Sequence, residues 1–257
     1  MIALPTTRIL HLTETGSTNA DAMRLALNGE ELPLWVIADS QTSGRGRAGR
    51  SWVSPAGNFY ASLAFCCTAP IENAGQLSLI AGISAIDAIR AITELAPGTG
   101  LRLKWPNDIL VEVAKMGGVL VESTTACGRP GFLAVLGFGL NLVSSPDELG
   151  RAVTCLSRHG QPPAPTELLN ALSLNLSHWL DLWDGGANFD AIRQAWTERA
   201  GPPGEPITIN TIRGPVSGTY QGLSETGALR AEVNGILVDF GHGDVALGGD
   251  AGNDGAP

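Results

Sequence analysis

Apolar residues along this chain fall in short clusters, and the change in their spacing marks the elements. "LWVIADS" (34–40) is a near-continuous apolar run and predicts a buried strand. "NFYASLAF" (58–65) alternates and predicts a second strand. Between 75 and 95, Leu79, Ile80, Ile83 and Ile86 recur at helical spacing, and Pro97-Gly98 is expected to end that helix. "LRLKW" (101–105) alternates again, turning Leu101, Leu103 and Trp105 to one face and Arg102 and Lys104 to the other. Pro106 stops it. "ILVEV", "GVLVES" and "GFLAVLGFGLNL" predict three more strands, the first two separated by Ala114-Lys115-Met116. Leu168, Leu169, Leu172, Leu176, Trp179, Leu180 and Trp183 place a helix-rich region over 165–200. Ahead of all this, "GSTNADAMRLALNG" reads as a short helix, with Ser17 or Thr18 as N-cap, Asp21 in its first turn and Gly29 as its stop.

Regular helices do not separate the strands, so the pattern predicts an α+β fold with a mixed sheet rather than a doubly wound one. The composition shifts at "AGPPGEP" (200–206). Beyond it lie short strands with turn residues, including Thr226-Gly227 and Asn234-Gly235 at hairpin positions, which predict a small SH3-like β-barrel. The expected division is residues 1–200 as one unit, 204–248 as the barrel and 249–257 as a disordered tail.

Composition narrows the function. The 257 residues carry a formal net charge of -9, which argues against a general nucleic-acid or membrane-surface binder. No apolar run approaches a membrane span and no secretory leader is visible, so a soluble cytoplasmic protein is expected. The four cysteines (Cys66, Cys67, Cys127, Cys155) lack metal-ligand spacing and read as buried reduced thiols; no metal site is expected. Of the 16 basic residues only Lys104 and Lys115 are lysine. In so arginine-rich a chain, two lysines suggest sites that need a compact ammonium rather than a planar fork.

Both lysines lie beside unusual stretches. "GRGRAGRSW" (44–52) sets Arg45, Arg47 and Arg50 among Gly44, Gly46 and Gly49 and closes on Trp52. Glycines expose backbone N–H groups and guanidinium forks bind phosphate or carboxylate, so the segment reads as a mobile anion clamp. In "KWPND", Pro106 puts Asn107 and Asp108 on a turn close to Lys104. In "KMGGVLVE", Lys115 precedes Gly117-Gly118, where bare backbone would let a ligand approach closely.

Taken in order, "STN" (17–19), Gln41, "GRGRAGRSW", "KWPND", "KMGGVLVE" and "GFGLNL" resemble the catalytic domain of biotin protein ligases over about residues 11 to 143. The resemblance implies two steps. Biotin's carboxylate attacks the α-phosphate of Mg·ATP to give biotinyl-5'-AMP and pyrophosphate, and a lysine of a biotin carboxyl carrier protein then takes the biotinyl group. Two anions must meet in the first step. At about 4 Å and an effective dielectric near 20 they repel by roughly 4 kcal/mol, which preplaced cations must offset. By the same resemblance Ser17, Thr18, Asn19 and Gln41 bind the ureido head of biotin. Arg45, Gly46 and Arg47 hold the intermediate, and Gly117 and Gly118 line the biotin side. Lys104 meets biotin's carboxylate and the α-phosphate, and Lys115, oriented by Asp108, is a second contact. Arg47, Lys104 and Lys115 are the expected catalytic groups. Arg45, Arg47, Arg50, Trp52, Asn107, Lys115 and Asn141 face the nucleotide. Magnesium enters bound to ATP.

Two departures and a rival complete the reading. The motif region begins within the first dozen residues, so the helix-turn-helix that represses transcription in some relatives is expected to be missing, and no DNA is expected as partner. Ala48 stands where many relatives carry a basic or polar residue. A lipoate ligase is the nearest rival, but the chain lacks the Arg-Arg and triple-glycine run expected of that branch. A non-catalytic biotin or nucleotide sensor is a second alternative. A homodimer is left open.

Overall fold

The computed structural model describes residues 7–95, 99–127, 131–146 and 152–248. The expected disordered tail and the Pro97-Gly98 stop lie outside them. The chain opens with β1 (Arg8–Thr15), α1 (Thr18–Leu27) and β2 (Leu34–Gln41). Next come β3 (Phe59–Cys67), α2 (Gln76–Ile92), β4 (Leu101–Lys104), β5 (Asp108–Val111), β6 (Ala114–Thr124) and β7 (Phe132–Leu140). These strands form one sheet in the order β1-β2-β3-β7-β6-β5-β4. Only β1 and β2 pair in parallel; the other ladders are antiparallel. The sheet is mixed, as the irregular spacing of helices predicts.

One face of the sheet carries α2, α3 (Pro165–Trp183) and α4 (Phe189–Arg199), and Leu77, Ile80, Ile83, Leu172, Leu176 and Trp196 fill the core beneath them. Helix α1 covers the other face over Ala22, Leu34, Val36, Ala64 and Val135. With both faces covered, β3 is buried at almost every position, and the alternation read in "NFYASLAF" has no solvent-facing side. Strand β1 was not legible as a strand. It is an edge strand, mostly exposed, so its apolar residues carry little pattern.

The remaining strands are β8 (Pro206–Thr211), β9 (Gly214–Leu223), β10 (Leu229–Val233), β11 (Ile236–Phe240) and β12 (Asp244–Leu247). They form the separate, five-stranded antiparallel C-terminal unit expected of an SH3-like module, ordered β11-β10-β9-β8-β12. Arg102 in β4 grips Glu205 through both carboxylate oxygens at 2.9 Å, tying the entry of this unit to the large sheet.

Three sequence readings are corrected. "ILVEV" is not one strand: Glu112 adopts φ 56° and Val113 is half exposed, so β5 turns back at Val111. Ala114-Lys115-Met116 is not a separator but the start of β6, where the register slips between Leu110↔Lys115 and Ile109↔Gly117 and Met116 is the extra, bulged residue. Nor are all four cysteines free thiols. Cys67 and Cys155 are free and buried, whereas Cys66 and Cys127 are joined as a disulfide with Cα atoms 6.1 Å apart. Adjacent strand residues face opposite ways, so Cys67 points into the core while Cys66 points out toward the turn after β6. No described helix is long and apolar enough to cross a membrane.

Candidate active site

The cleft lies where the ends of β4, β6 and β7 meet the start of α1, the 44–52 segment and β12 of the C-terminal unit. Two glycines of β7 make its floor. A Cβ at Gly137 would sit 2.0 Å from Asn19 Oδ1, and one at Gly139 would sit 2.7 Å from Trp52 Nε1. Only bare backbone admits both side chains.

One end is neutral and closely hydrogen-bonded. Ser17 is the N-cap of α1 and accepts from the Ala20 N–H; Thr18 is the first helical residue. The N–H and hydroxyl of Thr18 both donate to Gln41 Oε1, at 2.8 and 3.1 Å, and Gln41 Nε2 donates to Ser54 at 2.9 Å. Ser62, fully buried in β3, lies 2.7 Å from Thr18 Oγ1 and 2.6 Å from Asn19 Oδ1. An amide oxygen only accepts, so the Ser62 proton goes to Asn19. Asn19 Nδ2 donates to Glu122 at 2.8 Å. Ser17, Thr18 and Asn19 are all buried.

The other end is ionic. Asp108 at the start of β5 receives Lys104 Nζ at 3.1 Å and is in closer contact with Lys115 Nζ. All three side chains are largely buried. Burial pushes the Asp108 carboxyl up, but the two ammonium groups outweigh it and hold the pKa down at about 2. Lys104 also donates to the Val245 carbonyl at 2.7 Å, and Lys115 lies over the Trp52 ring, 5.4 Å from its centre. The arginine segment is a small hairpin: Arg45 bridges Ser51, the Gly46 N–H donates to the Arg50 carbonyl at 2.7 Å, and a short turn over Arg47–Gly49 places Ala48 at φ 53°. Arg47 donates to Asn107 Oδ1 and to Asp244, both at 3.3 Å. Burial lowers its pKa against the opposing pull of Asp244.

Ser17, Thr18, Asn19, Gln41, Arg45, Gly46, Arg47, Arg50, Trp52, Lys104, Asn107, Asp108, Lys115 and Gly118 thus line one cleft. A model of the biotin/lipoate A/B protein ligase family matches residues 11–141, half of the chain. The chain belongs to that family. It is 38% identical to the biotin--[acetyl-CoA-carboxylase] ligase of Paracoccus denitrificans over 85% of this chain and 91% of the relative. To the bifunctional ligase/repressor BirA of Bacillus subtilis it is 30% identical, over 90% of this chain and 71% of the relative. Among solved structures, the biotin protein ligase of Aquifex aeolicus in complex with biotin and ATP superimposes with a TM-score of 0.78 at 28% identity, covering 93% of this chain and 98% of that one.

Two residues expected at the family's site do not line the cleft. A Cβ at Gly117 would strike Leu140 and the Gly139 carbonyl, so that glycine serves strand packing on the side away from the cavity. Asn141 is buried just past β7, donating to the Thr154 carbonyl at 3.0 Å, with its Oδ1 unpartnered. The glycine-rich segment, expected as a pliable flap, is here a hydrogen-bonded hairpin fastened to β12. Three contributors went unread. Ser62 had a signal, a polar residue within an apolar strand. Asn58, whose Oδ1 accepts the N–H groups of Leu142, Val143 and Ser144, had none, nor did Asp244.

Proposed function

We propose that the chain is an ATP-dependent ligase that activates biotin as biotinyl-5'-AMP and transfers the biotinyl group to a lysine of a biotin carboxyl carrier protein. The observation that carries this is one cleft with a neutral, donor- and acceptor-rich end running into an end lined by five basic side chains. Biotin has that polarity, a neutral ureido head and an anionic tail. The names of the Paracoccus and Aquifex relatives support the same reading.

Ser17, Thr18, Asn19 and Gln41 bind the head, and the Ser62 and Ser54 bonds hold their side chains in register. Lys104 and Lys115 meet where carboxylate and α-phosphate approach. Their shared partner Asp108 fixes the direction of both ammonium groups and balances one of their two charges, leaving one net positive charge to offset the roughly 4 kcal/mol repulsion between the reactants. Arg45, Arg47 and Arg50 take the phosphates, with Asn107 orienting Arg47 and Trp52 walling the nucleotide side. Asn141 remains the residue the family resemblance assigns to the adenine, and its buried, unpartnered Oδ1 is the acceptor it would offer once the wall beside β7 rearranges. Magnesium arrives as part of the nucleotide. Attack of the biotin carboxylate oxygen on the α-phosphorus breaks the bond to pyrophosphate. The carrier's lysine amine then attacks the biotinyl carbonyl and AMP departs with the electron pair. Residues 1–200 are the catalytic unit and 204–248 supply the cleft's remaining wall.

Exchange of labelled pyrophosphate into ATP should require biotin, and an avidin blot should show transfer to a carrier protein. Exchange driven by lipoate instead of biotin, or biotin binding with no exchange, overturns the assignment.

A further inference from the structure

Asp244 faces the guanidinium groups of the cleft with the charge of a ligand. It opens β12 and belongs to the C-terminal unit. Arg50 Nη2 lies 3.0 Å from Oδ1 and 2.9 Å from Oδ2, and Arg47 Nη1 donates to Oδ1 at 3.3 Å. The carbonyls on either side are used in the same way: Gly243 accepts from Arg47 Nη2 at 3.3 Å, and Val245 accepts from Lys104 Nζ at 2.7 Å. Three consecutive residues, Gly243 just ahead of β12 and the first two of the strand itself, therefore present acceptors to three cations of the site.

A carboxylate between two guanidinium forks has the geometry in which arginine also takes phosphate. The two acids of the cleft are held very differently. The Asp108 side chain is 11% exposed and gripped by two ammonium groups. The Asp244 side chain is 43% exposed, with a single nitrogen of Arg50 at 2.9 and 3.0 Å from its two oxygens and Arg47 stretched to 3.3 Å. Asp108 is buried between its two ammonium partners, whereas Asp244 can rotate into solvent.

We propose that Asp244 is a resident counter-anion. It occupies Arg47 and Arg50 while no anionic ligand is bound, yields them to the phosphate chain, and returns as pyrophosphate leaves. It thereby sets the affinity of the cleft for polyphosphate. This rests on the reading that Arg47 and Arg50 bind phosphates. Five basic side chains face only two carboxylates in the cleft. Neutralising one of those carboxylates raises the positive charge, and the most highly charged anion gains most.

A plain fastening role predicts the opposite sign, because arginines cut loose from β12 would hold anions less well. Isothermal titration of inorganic pyrophosphate into the full ligand-free chain separates the two. Asp244→Asn, which keeps the shape and an oxygen acceptor, should bind pyrophosphate about tenfold more tightly than wild type, about 1.4 kcal/mol. The difference should shrink as salt rises. Asp244→Glu should return affinity to within about threefold of wild type. Equal or weaker binding by Asp244→Asn, with its melting temperature preserved, overturns the proposal. If the amide variant does not fold, Asp244→Ser is judged by the same sign. The titration needs no turnover, so absence of biotin-dependent exchange in wild type would defeat the functional reading alone.

Discussion

The two ends of the cleft solve different binding problems. At the Ser17–Gln41 end the lining side chains Ser17, Thr18, Asn19 and Gln41 are uncharged and already engaged within the protein, through Ala20, Ser54, Ser62 and, behind Asn19, Glu122. At the Lys104–Arg50 end the partners are charged, and Asp244 in particular is half in water. A neutral urea offers direction but little charge, so its site must be set in advance, since an unpartnered buried group there is expensive. An anion can rearrange the cations it meets, because charge-assisted bonds are strong enough to replace those they displace. Rigidity serves recognition at one end and exchange of partners serves reaction at the other.

The sharpest way to break this contrast is to remove the one rigid element of the ionic end. Asp108→Asn leaves Lys104 and Lys115 buried without a counter-charge and should cost about 3–5 kcal/mol of stability, read by denaturant melting. The same group has a pH signature. A carboxyl held at about 2 when folded, against an ordinary value near 3.9, stabilises the protein above about pH 4 and loses that contribution as pH falls toward 2. The acid-induced drop in stability across that window should therefore flatten in the variant. An unchanged acid profile would mean that Asp108 does not fasten the lysines.

Lys104→Arg comes next. It conserves charge but puts a planar fork where a point charge donates at once to Asp108 and the Val245 carbonyl, and adenylation should fall by about 10²–10³-fold with folding intact. Normal turnover would show that only charge counts there. The smallest effect belongs to the neutral end. Ser62→Ala removes the donor to Asn19 and should cost about 1 kcal/mol, roughly a fivefold rise in the KM for biotin with kcat held. A loss confined to kcat would mean that the two ends are coupled through Ser62.

Local patterns were legible wherever one element decides them. The face alternation of Leu101, Leu103 and Trp105, the α1 cap, the helix over 76–92 and the hairpin-rich C-terminal unit all follow from spacing and turn chemistry. The site residues that line the cleft were legible as motifs, because unusual chemistry stands out against a plain background. What escaped depends on neighbours distant in sequence. Cys66 and Cys127 are separated by 61 positions, and nothing local pairs them. The two adjacent glycines of "KMGGVLVE" look alike as letters, yet the bulge at Met116 and the facing Leu140 turn Gly117 from the cleft while Gly118 lines it. Asp244 is an ordinary acid at an ordinary strand start until β12 is seen beside Arg47.

The last wall of the cleft is also the last to be synthesised. Residues 243–246 emerge from the ribosome only after the entire seven-stranded sheet, so Lys104, Arg47 and Arg50 gain their acceptors on Gly243, Asp244 and Val245 only when the C-terminal unit docks against that sheet.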